Sequence, residues 1–127
     1  MKNREIVTNY NNIYGIINRN EKYPVKLSYA LSRNLKILEP LAKEFEDEKN
    51  KLLEKHGIKN LDGTFQRNAA GEYDIVTGHE QEWEQEITEL LEIEVKVEPH
   101  MVSVADYPEN IEPAIILVLD FMTENEG

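Results

Sequence analysis

The sequence predicts a mostly helical α+β fold in a single domain, residues 1–127, in which a long bent helix packs with two or three further helices. Three observations predict it. Apolar residues recur at helical spacing over most of the chain, whereas one stretch after residue 92 alternates with the period of two typical of a half-buried strand. The length of 127 residues suits one domain with one hydrophobic core. A short two-stranded antiparallel element completes the predicted fold.

An amphipathic helix is predicted over residues 4–18, because its apolar side chains follow the spacing of one helical face. Residues 18–24 read as a connection, and Pro24 is expected in the first turn of the next helix, where its missing N–H costs nothing. The apolar face consists of Ile6, Tyr10, Ile13, Tyr14 and Ile17.

The longest element is a second helix that runs from Pro24 to a stop at Gly57. Pro40 lies inside it and removes one backbone hydrogen bond, at a cost of about 3 kcal/mol in a helix interior. Because the apolar seam keeps its phase on both sides of Pro40, we expect one helix with a bend near residues 36–40. The seam consists of Leu27, Leu31, Leu35, Leu38, Ala42, Phe45 and Leu52.

Residues 57–76 contain three glycines and the turn pair Asp62-Gly63, which indicates a loop or a marginal hairpin. We predict that this segment is the mobile part of the chain. Thr77 and Glu80 then form a capping-box pattern ahead of a helix over residues 78–91. The apolar stripe of that helix consists of Trp83, Ile87, Leu90 and Leu91.

The period changes to two in residues 92–98, which predicts a half-buried strand. Pro99 and His100 interrupt the pattern, and residues 101–105 are expected to return as an antiparallel partner strand. The alternating apolar residues of the first strand are Ile93, Val95 and Val97.

A last helix is predicted over residues 111–122, capped by Asn110 and with Pro113 tolerated in its first turn. Residues 114–122 are apolar on nearly every side. This helix should therefore lie at the centre of the core, or else leave half of its apolar surface for a partner.

Charge is divided unevenly along the chain. Residues 1–60 contain 12 Lys and Arg against 8 Asp and Glu, a net of +4, whereas residues 61–127 contain 2 against 17, a net of −15. Such a division predicts either two oppositely charged halves that pack together, or an acidic surface left for a basic partner. The excess of carboxylates also makes nucleic acid and anionic membranes poor ligands, because both are bound through Lys and Arg.

Several classes of chemistry lack any sequence support. Cysteine is absent, which excludes disulfides, thiolate zinc sites and a cysteine nucleophile. No phosphate-binding glycine loop or nucleophile elbow occurs, and the longest apolar run, residues 114–119, is far short of a membrane span. The N-terminus lacks a signal-peptide apolar region, so we expect a cytosolic protein. Because the catalytic and phosphate-binding motifs are absent from the sequence, we expect neither a cofactor nor a catalytic residue.

The densest feature is a set of six carboxylates on the predicted helix 78–91 and directly after it. Their spacing places Glu82, Glu86 and Glu89 on one face and Glu80 and Glu84 on another, so no pair is forced to converge as a general acid and base would. They are therefore either a solvated face partly neutralised by lysines of the long helix, or a ridge that binds a partner. The six residues are Glu80, Glu82, Glu84, Glu86, Glu89 and Glu92, and the lysines are Lys43, Lys49, Lys51 and Lys55.

The three histidines show no metal-ligand spacing relative to one another. His56 is interpreted as a cation at a helix C-terminus and His79 as a surface residue in the first turn of a helix, and neither His56, His79 nor His100 is expected to bind a metal.

Two stretches of the chain resemble a known family. The phrase YPVKLSYALSRNLKILEP at residues 23–40, and ELLEIEVKVEPHMVSVADYPENIEP followed by IILVLDFM in residues 89–122, resemble an uncharacterised small-protein family of tailed phages and prophages of Gram-positive bacteria, a domain of unknown function. The resemblance implies a phage origin, the bacterial host cytoplasm as location and an accessory, non-enzymatic role. It assigns no site residue.

Two functions of different kinds follow from these observations. The first is a phage accessory protein that binds another protein, either a structural or assembly component of the phage or a host factor, with homo-oligomers allowed. The alternative is an inhibitor of a host nucleic-acid-binding defence enzyme, in which carboxylates about 6 Å apart mimic successive phosphates. A third hypothesis, a metal-dependent hydrolase built from scattered Glu and His, would require tight stoichiometric binding of a divalent metal.

Overall fold

The structure, a computed structural model, describes residues 1–19 and 21–124. Within those residues it contains four α-helices and a sheet of two very short strands, which confirms the mostly helical α+β prediction. Two single 3₁₀ turns, Val104–Asp106 and Asp120–Met122, lie on either side of the last helix. The elements are α1 (Asn3–Ile17), α2 (Val25–His56), α3 (Glu80–Glu92), β1 (Val102–Ser103), α4 (Pro113–Val118) and β2 (Thr123–Glu124).

The core forms where α1 lies along α2 and the C-terminal segment covers them both. Apolar side chains at helical spacing create one continuous stripe on each helix, and burying these stripes against each other removes them from water. Leu53, rather than the predicted Leu52, is the buried leucine near the end of α2. Phe45 and Leu53 of α2 are buried outside the main cluster. The buried side chains of that cluster are Ile6, Ile13, Ile16, Leu27, Ala30, Leu31, Leu38, Val102, Ile115, Leu119 and Met122.

Helix α2 runs without interruption through Pro40, which confirms one helix instead of two. The bend near residues 36–40 stays a prediction. Pro24 lies just before the first turn, as the N-cap residue, one position earlier than predicted. The helix ends at Gly57, whose N–H donates to the carbonyl of Leu53 at 2.7 Å. A Cβ atom at Gly57 would lie 2.8 Å from that same oxygen, so only glycine permits this close approach.

Residues 57–76, here called the hairpin unit, consist of three short extended segments that pair with one another. Their backbones form a closed ring: Ile58 N donates to Asp74 O (3.1 Å), Asp74 N to Gln66 O (2.9 Å), and Gln66 N to Ile58 O (2.7 Å). Antiparallel bridges join the same three segments. Gly63 and Gly71 adopt φ of 88° and 82° in the two connecting turns, a conformation that glycine enters without strain. The predicted pairing is therefore present, and the mobility of the segment stays a prediction.

The antiparallel pairing expected of residues 92–98 and 101–105 is wrong. β1 pairs with β2 in parallel, Val102 opposite Thr123. Residues 93–95 are extended as predicted but pair with the N-terminal segment, where Asn3 N donates to Ile93 O (3.0 Å). The reason for the failed hairpin is Asn34 of α2, whose buried amide binds both the N–H (2.7 Å) and the C=O (2.9 Å) of His100. These bonds hold the chain across α2 where a hairpin would have had to turn back.

The C-terminal helix is shorter than predicted. Residues 111–122 divide into α4 and a 3₁₀ turn, Glu112 is the N-cap residue, and Asn110 lies in the preceding turn. Ile115 is buried, whereas Leu117 is 76% exposed, so α4 lies at the edge of the core. No helix within residues 1–19 and 21–124 is both long and apolar enough to cross a membrane.

Candidate functional site on the third helix

Helix α3 begins at Glu80, two residues later than predicted, and its N-cap residue is His79 instead of Thr77. Gly78 adopts a φ of 94°, which turns the chain away from a helical path before the helix can start. The Glu80 carboxylate accepts a hydrogen bond from the N–H of Gly78 at 2.8 Å. One carboxylate of the predicted ridge therefore binds the backbone of its own helix start.

The apolar stripe of α3 faces the body of the protein as predicted, with all four of its members partly buried. Trp83 makes an edge contact with Tyr73 of the hairpin unit, with ring centroids 6.3 Å apart. At the other end, Asn3 of α1 donates from its side chain to Leu90 O at 2.9 Å. These contacts fix the rotation of α3 about its axis, and so decide which carboxylates point inward and which point to solvent.

Glu92 points to α1 and is neutralised inside the protein. Its carboxylate lies 2.6 Å from Lys2 Nζ and also pairs with Arg4. The hydrogen bond from Lys2, followed by that from Arg4, holds the pKa of Glu92 below its usual value. The basic first half of the chain and the acidic second half are thus joined at this point.

Glu86 points to the C-terminal end of α2 and is also neutralised. His56 Nε2 lies 3.2 Å from Glu86 Oε1, and Lys55 Nζ lies 3.2 Å from both of its oxygens. The hydrogen bond from His56 and then that from Lys55 lower the pKa of Glu86. A lowered pKa is the wrong direction for a general acid at neutral pH, so Glu86 is suited to accept cations and not to deliver protons. Lys49 and Lys51, which were expected to neutralise α3, instead pair with Glu46 and Glu48 of their own helix.

The remaining carboxylates of the predicted ridge face solvent. Glu82, Glu84 and Glu89 are exposed, and no cationic group of residues 1–19 or 21–124 forms an ion pair with any of them. Glu89 accepts one hydrogen bond from Gln85, at 3.3 Å. The six carboxylates are therefore not one continuous ridge, because two of the six are bound to cations of the same chain. Their predicted role in partner binding stays a prediction.

A second group of side chains converges where α2 ends and α3 begins. His56 is only 1% exposed, and its Nδ1 lies 3.2 Å from Nδ1 of His79 while its Nε2 contacts Glu86. Ligand atoms of His56, Glu82 and Glu86 all lie within 4.8 Å of one another, so these three residues could hold a metal ion. His100 lies elsewhere, with its ring against Tyr29 at 5.2 Å between centroids.

The spacing of residues along the chain contains a signal for this group. His79, Glu82 and Glu86 are spaced i, i+3, i+7, which places them on one face at the start of a helix. His56 follows the buried Leu53 by three residues and so continues the buried side of α2. Neither pattern shows that the two faces meet, because the hairpin unit between them decides where α3 starts.

A third feature is an open groove between the start of α2 and the segment that leads into β1. Val25 is 85% exposed and Tyr29 is 58% exposed, and both line this groove with His100 and Met101. We call these four residues the apolar groove. The charged residues Lys26, Asp106 and Glu124 also line it.

No family model, curated protein or solved structure matches the chain. The resemblance to a phage family therefore stays a prediction, and function has to be inferred from the side chains themselves. The arrangement on and around α3 can bind cations or a basic surface, and the groove beside β1 can bind apolar side chains.

Proposed function

We propose that the protein acts without catalysis, by binding another protein through the apolar groove. The resemblance noted above favours a phage accessory role in the bacterial host cytoplasm, with a structural or assembly component of the phage, or a host factor, as the partner. Exposed apolar side chains that lie together and are rimmed by polar residues are typical of protein interaction surfaces. The exposure of Val25 and Tyr29 beside Met101 is the observation that carries the proposal.

The structure of the groove defines what kind of partner fits it. Val25 lies in the first turn of α2, where its side chain has no structural need to be apolar, and Tyr29 follows one helical turn later. Tyrosine buries a large area while giving up few rotamers, which suits an interface. The partner should therefore present apolar side chains for the floor of the groove, and its binding should depend little on salt.

The test is capture of partners from phage-infected and uninfected host lysate, at low and high salt, followed by affinity measurement with each captured protein after purification. The double variant Val25→Asp/Tyr29→Asp should weaken binding at least about tenfold, since two charges would be buried in the interface. Leu61→Asp is the matched control, because Leu61 is a fully exposed leucine of the hairpin unit, outside the groove. A partner that binds the groove variant as tightly as the natural chain would refute the proposal.

A second candidate function is supported by Glu82, Glu84 and Glu89, whose exposed carboxylates have no cation of the described residues beside them. A partner with a basic nucleic-acid groove could bind them in place of phosphates. Such a partner would be lost at high salt and displaced by nucleic acid.

Two variants separate these functions. Glu84→Lys/Glu89→Lys should abolish binding of a nucleic-acid enzyme and leave a groove partner bound, whereas Val25→Asp/Tyr29→Asp should do the opposite. Self-association is a further outcome, measured by light scattering over a range of concentrations. A dimer that Val25→Asp/Tyr29→Asp dissociates would identify a second copy of the chain as the occupant of the groove.

A further inference from the structure

We propose that His56, Glu82 and Glu86 bind one divalent transition-metal ion, and that His79 is a positioning residue that orients His56. The site would connect the last residue of α2 with the first two turns of α3. It is independent of binding through the apolar groove, because none of its residues lines that groove.

The distances suit a first-row metal ion. Zinc lies about 2.0–2.2 Å from imidazole nitrogen and carboxylate oxygen, so neighbouring ligand atoms of a tetrahedral site are roughly 3.3 Å apart. His56 Nε2 and Glu86 Oε1 already lie 3.2 Å apart. The Glu82 carboxylate lies within 4.8 Å of both ligand atoms. A change of rotamer would complete the set of three protein ligands, and water can supply the fourth.

Glu82 is free to make that change. Its side chain is exposed, and within the described part of the chain it forms no hydrogen bond or ion pair. Its counterpart Glu86 is held in place by hydrogen bonds with His56 and Lys55. Glu86 is thus preorganised, whereas Glu82 forms no bond that an incoming ion would have to break. This arrangement lets an ion enter from solvent.

His79 explains how the buried imidazole can serve as a ligand. Two ring nitrogens 3.2 Å apart require one to donate and the other to accept, so Nδ1 of His56 and Nδ1 of His79 share one proton. With Nε2 of His56 protonated and donating to Glu86, His79 donates. When an ion occupies Nε2 of His56, the proton there leaves to solvent, the shared proton moves to Nδ1 of His56, and His79 takes up a proton from solvent at its own Nε2. His56 then donates to His79, which is how partner residues orient metal-binding histidines.

The positive charge of Lys55 disfavours binding of a metal ion to Glu86, and its removal is therefore expected to strengthen binding. Its ammonium lies 3.2 Å from both oxygens of Glu86, yet its side chain is 60% exposed and can move into solvent. A divalent ion must displace it and is repelled by it while it remains near. Lys55→Gln should therefore increase the affinity for metal, an effect that no general loss of structure would produce.

The ligand set also predicts which ions bind. One imidazole with two carboxylates suits zinc and its first-row neighbours, whereas Ca²⁺ and Mg²⁺ prefer oxygen ligands alone. By the usual order of stability Zn²⁺ should bind more tightly than Mn²⁺, and Mg²⁺ should not compete with it.

The experiment is isothermal titration of the full, metal-free chain with ZnCl₂. We expect one ion per chain. Glu82→Gln, which alters an exposed side chain and should leave the fold intact, should weaken binding by more than about a hundredfold, beyond the 10–100-fold expected for loss of an orienting partner. Glu84→Gln and His100→Gln are the matched controls and should leave the affinity unchanged.

The role of His79 has its own readouts. His79→Leu should weaken binding about 10–100-fold, and His79→Asn, whose side-chain oxygen can still accept from His56, should recover most of the loss. Nitrogen-15 NMR of the imidazole should show the ion at Nε2 of His56 and a proton at Nδ1. Binding through Nδ1 would overturn the assignment of His79.

The remaining outcomes decide the proposal as a whole. Three results would show that zinc binds a diffuse acidic face and would refute the site. They are a stoichiometry other than one ion per chain, an equal loss of zinc affinity in Glu82→Gln and Glu84→Gln, and competition by Mg²⁺ as strong as that by zinc itself. Loss of zinc binding in Glu82→Gln with unchanged capture of a partner of the apolar groove would support the site separately from binding through that groove.

Discussion

Asn34 is the side chain on which the path of the chain between α3 and β1 depends. It is fully buried and binds both backbone groups of His100. We predict that Asn34→Leu, which is close to Asn in size, lowers the free energy of unfolding by about 1–3 kcal/mol, because two backbone groups lose their partner. Urea denaturation measures the change, with Asn11→Leu at an exposed position of α1 as the control. Equal effects of the two substitutions would contradict the role given to Asn34.

For Asn34 and His56, the sequence indicates that the side chain is buried but not which group it contacts. Both lie on the buried side of α2, so a polar residue within an apolar seam was a visible signal. Their partners lie 66 and 23 residues away in sequence, however, and no local pattern connects them. The apolar seam predicts that these two positions are buried, but it does not predict which group forms a hydrogen bond with each side chain.

At the scale of elements, Tyr73 joins the hairpin unit to the helices. Its ring contacts Trp83 of α3, lies 4.2 Å from the guanidinium carbon of Arg67 and 5.3 Å from Lys49 Nζ of α2. We predict that Tyr73→Ala lowers the free energy of unfolding by about 1–3 kcal/mol, the sum expected of an aromatic pair and exposed cation–π contacts. Tyr73→Phe keeps the ring and should lose much less. Denaturation midpoints of the two variants would contradict the prediction if they were equal.

The elements differ in how far local patterns could predict them. The long helices follow from their apolar spacing, which needs no knowledge of distant residues. The sequence of the hairpin unit does contain a repeat that indicates two similar segments. Residues of the same or similar type recur eight positions apart: Asn60 and Asn68, Gly63 and Gly71, and Phe65 and Tyr73. The parallel pairing of β1 and β2 could not be predicted in this way, since it depends on residues 104–122 carrying the chain back in the same direction.

At the scale of the whole molecule, ion pairs join the basic first half to the acidic second half. The pairs are Lys2 and Arg4 with Glu92, Lys55 with Glu86, and Arg19 with Glu112. The predicted packing of oppositely charged halves is therefore present in part, because some acids are neutralised within the chain, whereas an acidic surface for a basic partner stays a prediction. The sequence predicted the excess of charge but not which carboxylates would retain it, since that depends on the rotation of α3.

The pH dependence of stability follows from these pairs. The hydrogen bond from His56 lowers the pKa of Glu86 and the hydrogen bond from Lys2 lowers that of Glu92, and such a carboxyl adds stability above its unfolded pKa that is lost as pH falls through its folded pKa. The double variant Glu86→Gln/Glu92→Gln should therefore be less stable than the natural chain at pH 7, with the difference shrinking in acid. Denaturation over a pH series tests this. Glu84→Gln/Glu89→Gln is the matched control, because neither carboxylate forms an ion pair with a cation of the described residues, and an equal loss of stability at pH 7 in the two double variants would contradict the assignment.

The closed ring of the hairpin unit affects how the molecule tolerates added sequence. The N–H of Val76 donates to the carbonyl of His56 at 2.8 Å, so the chain leaves α2 and comes back at almost the same point. The two ends of the hairpin unit therefore lie side by side, and Leu61 in its first turn is fully exposed. A peptide tag or a small folded domain inserted at that turn has ends that already lie together, and should be accommodated without separating α2 from α3.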